Sequence, residues 1–196
     1  ILQKLQITDE KEKEQLFQEA YGIKLAYVGP KVYMRALLEL GNICEKNCYY
    51  CGIRKENKNF KRYFLTRDEV VDAALWAFNM RYGTIVIQSG ERSDRAFVDF
   101  IEEIVSEINQ KTGNKMAITL SLGEQTKETY GRWFKAGARR YLLRIESSNP
   151  EIYKKLHPSD HNFEIRRNSL WLLKELGYQV GTGVMIGLPW QSIEDL

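Results

Sequence analysis

Three times in this chain an amphipathic helical stretch ends near a glycine and a short apolar run follows: Tyr82-Gly83-Thr84, Ala136-Gly137-Ala138 and Leu176-Gly177-Tyr178. Glycine just past a helix is the usual C-cap, because it alone takes the left-handed conformation cheaply. Strands alternating with helices at roughly 30-residue spacing imply a parallel sheet built from right-handed crossovers. The patterning predicts strands at 32–40, 84–88, 116–121, 140–146 and 179–186, with helices at 8–27, 94–111, 125–136 and 162–176. A further helix, 66–81, opens on the capping box Thr66-Arg67-Asp68-Glu69. An α/β fold follows, either an open doubly wound sheet or a (β/α) barrel.

A full barrel needs eight strands over about 250 residues, so five strands in 196 residues would make slightly more than half of one. Ser192 and Asp195 have the spacing of an N-cap and its partner, as if a new helix were beginning. The chain therefore reads as a piece of a longer protein, with a cut sheet edge of unpaired backbone groups. Gly29-Pro30 separates an N-terminal helical segment, 1–31, from an α/β domain, 32–196.

Composition narrows the class. With 43% hydrophobic residues, 29 Lys+Arg and 26 Asp+Glu, the chain has material for a core and a net charge of only +3. Disorder is excluded, and no apolar run approaches the roughly 20 residues of a membrane span. The charge is too small and too dispersed to argue for nucleic acid. The 3 cysteines, an odd number crowded between positions 44 and 51, do not form a disulfide framework. In a cytoplasmic protein, the expected setting, such a cluster reads as a metal site.

Cys44-Glu-Lys-Asn-Cys48-Tyr-Tyr-Cys51 follows the first strand, at the strand end that carries the chemistry in parallel α/β folds. Structural zinc normally takes four protein ligands, and no fourth Cys or His lies nearby. Iron–sulfur clusters take Cys thiolates, commonly four; with three, one iron keeps an open position. A three-Cys zinc site or buried thiols are the plainer alternatives.

Polar groups stand at the other strand ends as well. Ser89-Gly90-Glu91 joins a glycine that permits close approach to a carboxylate that can accept from an ammonium, though alone it is a turn. Thr119, Ser121 and Glu124 either line a cavity or cap the following helix. Arg144 and Glu146 alternate on one face of an apolar strand, as a site pair or a structural salt bridge. Arg166 is a carboxylate-binding candidate or a solvated helix residue, and Gly183 to Gln191 is an ordinary strand and turn or a ligand-packing segment. The basic stretch 54–67, interleaved with aromatics, is a loop over the cysteines or an RNA footprint. His157 and His161 have no evident partner, and Pro158 between them argues for a loop.

The C-x3-C-x2-C spacing, with aromatic Tyr50 before the last Cys, resembles the defining motif of the radical S-adenosylmethionine (SAM) superfamily. That resemblance implies a 4Fe–4S cluster on Cys44, Cys48 and Cys51, and SAM chelating the open iron. Reductive cleavage of SAM to a 5′-deoxyadenosyl radical would follow. It implies cofactor contacts from Tyr50, Ser89, Gly90, Glu91, Ser121, Arg144, Glu146 and Arg166, and an adenine-side segment with Met185, Ile186 and Leu188.

The wider string is similar to the HydE-type maturases of iron-only hydrogenase, in the biotin-synthase-like branch. It comprises 44–67, QSGE at 88–91, TLSLGE at 119–124, AGARRYLLRIESSNPEIYKKLHP at 136–158 and TGVMIGLPWQS at 182–192. The implied fold is a (β/α)8 TIM barrel, here partial, and the implied role is assembly of the hydrogenase active-site cluster. Its implied partners are an organometallic or amino-acid-derived small substrate, a ferredoxin- or flavodoxin-type electron donor, and fellow maturases. Trp190, where a small residue is expected, and Ile145, where His is frequent, depart from that pattern. Biotin synthase and methylornithine synthase are the neighbouring readings; a non-catalytic metal- or RNA-binding α/β module is the alternative of another class.

Overall fold

The computed structural model describes residues 2–196. The chain divides into two compact units: residues up to Tyr33 together with Ile186–Leu196, and Met34–Met185.

The larger unit holds five strands: β1 Ala36–Gly41, β2 Thr84–Ser89, β3 Ala117–Ser121, β4 Arg140–Leu142 and β5 Gln179–Gly181. All neighbouring pairs are parallel, in the order β1-β2-β3-β4-β5. Between them run α3 Arg67–Asn79, α4 Arg95–Lys111, α5 Lys127–Ala136, α6 Pro150–Leu156 and α7 Phe163–Glu175. This is the partial (β/α)-barrel arrangement.

Side-chain alternation sorts the strands into two faces. Ile85, Ile87, Ile118, Leu120 and Tyr141 are buried in the core with Val70, Ala74, Phe97, Ile101, Ile104, Trp133 and Leu173 of the helices. The register places Leu37, Val86, Thr119, Arg140 and Gln179 in one row across the sheet, on the other face. Helix α4 shows why the outer layer holds. Phe97, Val98, Ile101, Ile104, Val105 and Ile108 recur at helical spacing and are all buried. Trp133 of α5 lies flush in the core and donates its Nε1–H to the Val98 carbonyl at 3.0 Å.

Local signals set the boundaries. Thr66 and Glu69 form the expected capping box, and Asp94, Thr126 and Asn162 cap α4, α5 and α7. Gly137 and Gly177 take positive φ after their helices, at +118° and +92°. Gly83 does not. Arg81, φ +64°, is the left-handed residue that ends α3, and Tyr82 N–H reaches back to the Ala77 carbonyl.

Three strand limits are corrected. The first ladder begins at Ala36 and not at Val32, for Val32, Tyr33 and Met34 are exposed. The apolar run 32–34 is adjacent to the sheet in sequence without pairing into it. β4 stops at Leu142 and β5 at Gly181, well short of 146 and 186; beyond them Leu143 N–H still donates to the Gly181 carbonyl, and an isolated Glu146–Val184 bridge follows. Glu146 stands at φ +64°, a left-handed kink that no extended strand accommodates. Helix α6 was not expected from the sequence; Asn149 caps it and Pro150 opens it.

The smaller unit contains α1 Leu2–Leu5, α2 Glu10–Tyr27 and a 3-10 turn, Ile193–Asp195. Asp9 caps α2, which buries none of its 18 residues. Ser192 N–H donates to the Asp195 carboxylate at 2.7 Å, closing the expected capping pair.

Candidate functional site

The parallel strands deliver their C-terminal ends to one cavity of about 250 Å³. Its wall includes Cys44, Cys48, Tyr50, Cys51, Ser89, Gly90, Glu91, Ser121, Arg144, Glu146 and Arg166. These residues span 44 to 166 in sequence, and the parallel sheet, the loops at its C-terminal end and α7 bring them together.

The cysteine loop is tied down from several directions. Lys46 N–H points to the Cys44 sulfur at 3.4 Å, and Glu45 N–H donates to the Glu91 carbonyl at 2.8 Å. Downstream, the Arg62 guanidinium closes the loop by donating to the carbonyls of Asn42, Ile53, Arg54 and Asn57, while stacking over Phe60. Within the basic stretch Arg62 is thus a clasp. Burial raises the Cys44 thiol and pushes the Cys48 thiol up to about 11.

Gly90 is required by close approach. A Cβ there would lie 2.3 Å from the Ile43 carbonyl oxygen and 2.7 Å from Cys44 Cβ. Gly123, φ +77°, lies equally close against Glu91, whose Oε2 would be 2.1 Å from an added Cβ.

Beneath the loop four charges gather, Arg166 buried and Lys46, Glu91 and Glu124 partly so. Lys46 Nζ stands 3.3 Å from both Glu91 Oε1 and Glu124 Oε2; Arg166 Nη1 is 3.8 Å from Glu91 and Nε 3.3 Å from Glu124. Burial, then the neighbouring Glu124 charge, raises the Glu91 carboxyl against the pull of Lys46 and Arg166. For Lys46 and Arg166 burial works the other way but is outweighed by the two carboxylates, so both stay firmly cationic. Arg166 Nε and Nη1 are buried and face these two carboxylates at ion-pair range without hydrogen-bond geometry. The guanidinium stands in the cavity wall as a fixed positive charge, which suits a carboxylate.

The open alternatives now resolve. Thr126 caps α5, which leaves Ser121 in the cavity wall and Glu124 in the charge cluster. Thr119 is buried, its hydroxyl without a partner. Arg144 and Glu146 share the cavity wall, but Arg144 is exposed, so it is not a buried pair member. Burial raises the Glu146 carboxyl, and Arg144, then Arg166, oppose the rise. Met185 donates its N–H to the Glu146 carbonyl at 2.8 Å. Ile186 and Leu188 belong to the smaller unit, where Ile186 is 81% exposed. Trp190 there stands at φ +69°, a left-handed conformation that glycine, lacking Cβ, takes most cheaply. Sequence reasoning missed Lys46, a loop lysine without any distinguishing signal, and left His157 without a partner; Tyr50 Oη meets its Nε2 at 3.2 Å.

Among the described residues no three His, Cys, Asp or Glu converge on a single-ion site. The donor set, three thiols in the wall of one cavity, is the chemistry of an iron–sulfur cluster. The glycine cradle and the Arg166 cation suit an amino-acid ligand beside it.

The chain belongs to the radical SAM superfamily, whose profile matches residues 38–196. It is 50% identical over 193 residues to the "[FeFe] hydrogenase maturase subunit HydE" of Thermotoga maritima, covering 98% of this chain and 54% of that protein. A biotin synthase of Lysinibacillus sphaericus is 30% identical over 199 residues, 98% of this chain and 58% of that one. The crystal structure of methylornithine synthase (PylB) superposes with a TM-score of 0.88 at 23% identity, over 98% of this chain and 56% of that one, a likeness of fold. The chain spans about half the length of the curated relatives it matches. Among the described residues no helix is long and apolar enough to cross a membrane.

Proposed function

We propose that the protein is a radical SAM enzyme of FeFe-hydrogenase maturation. The observation that carries the reading is the presence of three cysteines, a glycine cradle and a buried guanidinium around one cavity, in a chain 50% identical to HydE.

In this reading Cys44, Cys48 and Cys51 would hold the 4Fe–4S cluster, and the other residues of the cavity wall would hold SAM. When bound, the reduced cluster supplies one electron that breaks SAM's sulfonium bond and gives the 5′-deoxyadenosyl radical. The chain's own share is positioning and exclusion of water. Arg166, held by Glu91 and Glu124, presents its positive charge to the SAM carboxylate. Gly90 brings backbone close to the amino group, with the Glu91 carboxylate providing negative charge nearby. Glu146, aimed by its left-handed backbone, accepts from the ribose hydroxyls; Arg144, Ser89 and Ser121 complete the polar wall, and Tyr50 and Met185 flank it.

The substrate is a small organometallic or amino-acid-derived species, with electrons from a ferredoxin- or flavodoxin-type donor, in an anaerobic cytoplasm beside partner maturases. The 50% identity to HydE, against 30% to biotin synthase, favours this branch. Complementation tests it. In a strain lacking its own HydE, the full-length protein is expected to restore hydrogen evolution by an FeFe hydrogenase, and Cys48→Ala to fail. A full-length protein that loads its cluster and cleaves SAM yet restores nothing would overturn the maturation role.

A further inference from the structure

The basic stretch after the cysteines has no part in the cavity chemistry. Residues 54–62 carry five basic side chains, Arg54, Lys55, Lys58, Lys61 and Arg62, against one acid, Glu56. That surplus of four charges exceeds the +3 of the whole chain, so the remainder is slightly acidic. On the helix layer, surface cations are spent on acids: Arg67 pairs with Glu103 and Glu107, and Arg132 with Asp99 and Glu102. Lys55, Lys58 and Lys61 are exposed, and among the described residues Lys58 and Lys61 form no ion pair.

The stretch folds back on the cysteine loop. Arg54 Nη1 donates to the Cys51 carbonyl at 3.1 Å, Lys55 N–H to the Lys46 carbonyl at 2.8 Å, and Glu56 N–H to Asn47 Oδ1 at 3.4 Å. The cavity wall includes Ile53 and none of 54–61. Tyr49 is bonded to Cys48, is 58% exposed and, unlike Tyr50, is no part of that wall. Its N–H donates to the Leu156 carbonyl at 3.0 Å, and the same turn of α6 exposes Lys154 and Lys155. Away from the cavity, the loop presents one aromatic ring and cations from two segments of the chain.

The aromatics between these cations are occupied within the protein. Phe60 lies under the Arg62 guanidinium at 4.4 Å, and Phe64 packs against Phe97 and Phe100. Tyr63 is more exposed, with its hydroxyl donating to the Glu39 carbonyl at 3.4 Å. A single-stranded nucleic acid needs successive rings free to stack on its bases, so the stretch favours a protein partner.

We propose that this side of the loop, Tyr49 with Lys55, Lys58, Lys61, Lys154 and Lys155, is the docking surface for an acidic one-electron carrier protein. The proposal rests on the radical SAM reading, in which the reduced carrier gives up one electron and the cluster takes it. A carrier seated on Tyr49 is one residue from Cys48 and stays outside the cavity assigned to SAM. Electron-transfer encounters have small interfaces and part after each electron. Charge complementarity suits that need, since it speeds encounter more than it tightens the complex. An aromatic centre with a charged surround is the usual anatomy of such a patch.

The test uses the full-length protein with two acidic carriers, a ferredoxin and a flavodoxin. Calorimetry at low salt is expected to show binding of one or both. In Lys58→Glu/Lys61→Glu the Kd is expected to rise about tenfold, the scale of electrostatic steering. Lys135→Glu/Lys174→Glu, at exposed positions on α5 and α7, makes the same change in net charge and is expected to leave the Kd as it was. Carbodiimide, which joins amines to carboxylates, is expected to cross-link the carrier to Lys55, Lys58 or Lys61. Carrier-driven SAM cleavage should fall with the binding, while cleavage driven by dithionite stays unchanged.

No binding of either carrier, equal weakening by both double variants, or cross-links confined to other faces overturns the docking surface. So does carrier-driven cleavage that ignores the Lys58→Glu/Lys61→Glu change, or a single-stranded RNA whose binding that variant loses while carrier binding persists. A folded, cluster-loaded protein that binds the carrier at these lysines yet cleaves no SAM with dithionite overturns instead the radical SAM reading.

Discussion

The outward face of the sheet and its C-terminal rim are built on opposite rules. Outward, Ile85, Ile87, Ile118 and Leu120 pack into a continuous apolar layer with α3, α4 and α5. At the rim, Lys46, Glu91, Glu124 and Arg166 form a charge cluster, Arg166 buried and the other three partly so. Buried ion pairs rarely stabilise a protein more than apolar side chains of the same volume. Stability therefore resides in the outer layer, and the rim accepts a cost so that charge faces a ligand.

The sharpest way to break that contrast is to damage each side separately. Trp133→Ala, in the outer layer, is expected to lower unfolding free energy by about 3–5 kcal/mol in a denaturant titration. The variant that remains folded should still load iron. Arg166→Lys keeps the charge but loses the fork. SAM affinity, by calorimetry on the cluster-loaded protein, should fall ten- to a hundredfold, the ~1.5–3 kcal/mol of a hydrogen bond to a charged group. Unchanged affinity would return Arg166 to a purely structural role. Glu146→Ala should weaken SAM binding about tenfold, ~1.4 kcal/mol, with iron content intact. Equal loss of both would make Glu146 part of the scaffold.

The smallest effect is the pH response of His157. Its folded value near 4 lies below the ordinary 6.5, so between them the unfolded chain binds a proton that the folded chain does not. Stability should fall as pH drops from 6.5 toward 4. His157→Gln should flatten that slope, and an identical slope would show that the imidazole is not kept neutral by the fold.

The same contrast explains what was legible in the sequence. The strand–helix alternation, the Thr66 box and the α4 stripe are local signals, and the structure repeats them. The cysteine triad was legible because its spacing is local, and its companions because chemistry gathers at the C-terminal ends of parallel strands. Lys46 with Glu124, and Tyr50 with His157, are separated by 78 and 107 residues and have no periodicity to connect them. Only the folded sheet makes them neighbours. Apolarity also misled: Val32, Tyr33 and Met34 look like the start of a strand, yet the ladder begins at Ala36. The left-handed φ of Glu146 kept the strand from reaching 146, and such a kink leaves no trace in a run of apolar residues.

The most direct measurement is EPR of the full-length protein after anaerobic reconstitution with iron and sulfide and reduction with dithionite, recorded with and without SAM. The expected result is a 4Fe–4S signal that changes when SAM is added and is absent in Cys48→Ala. A folded protein that holds one zinc ion and takes up no cluster, or a cluster whose signal ignores SAM, would contradict the account.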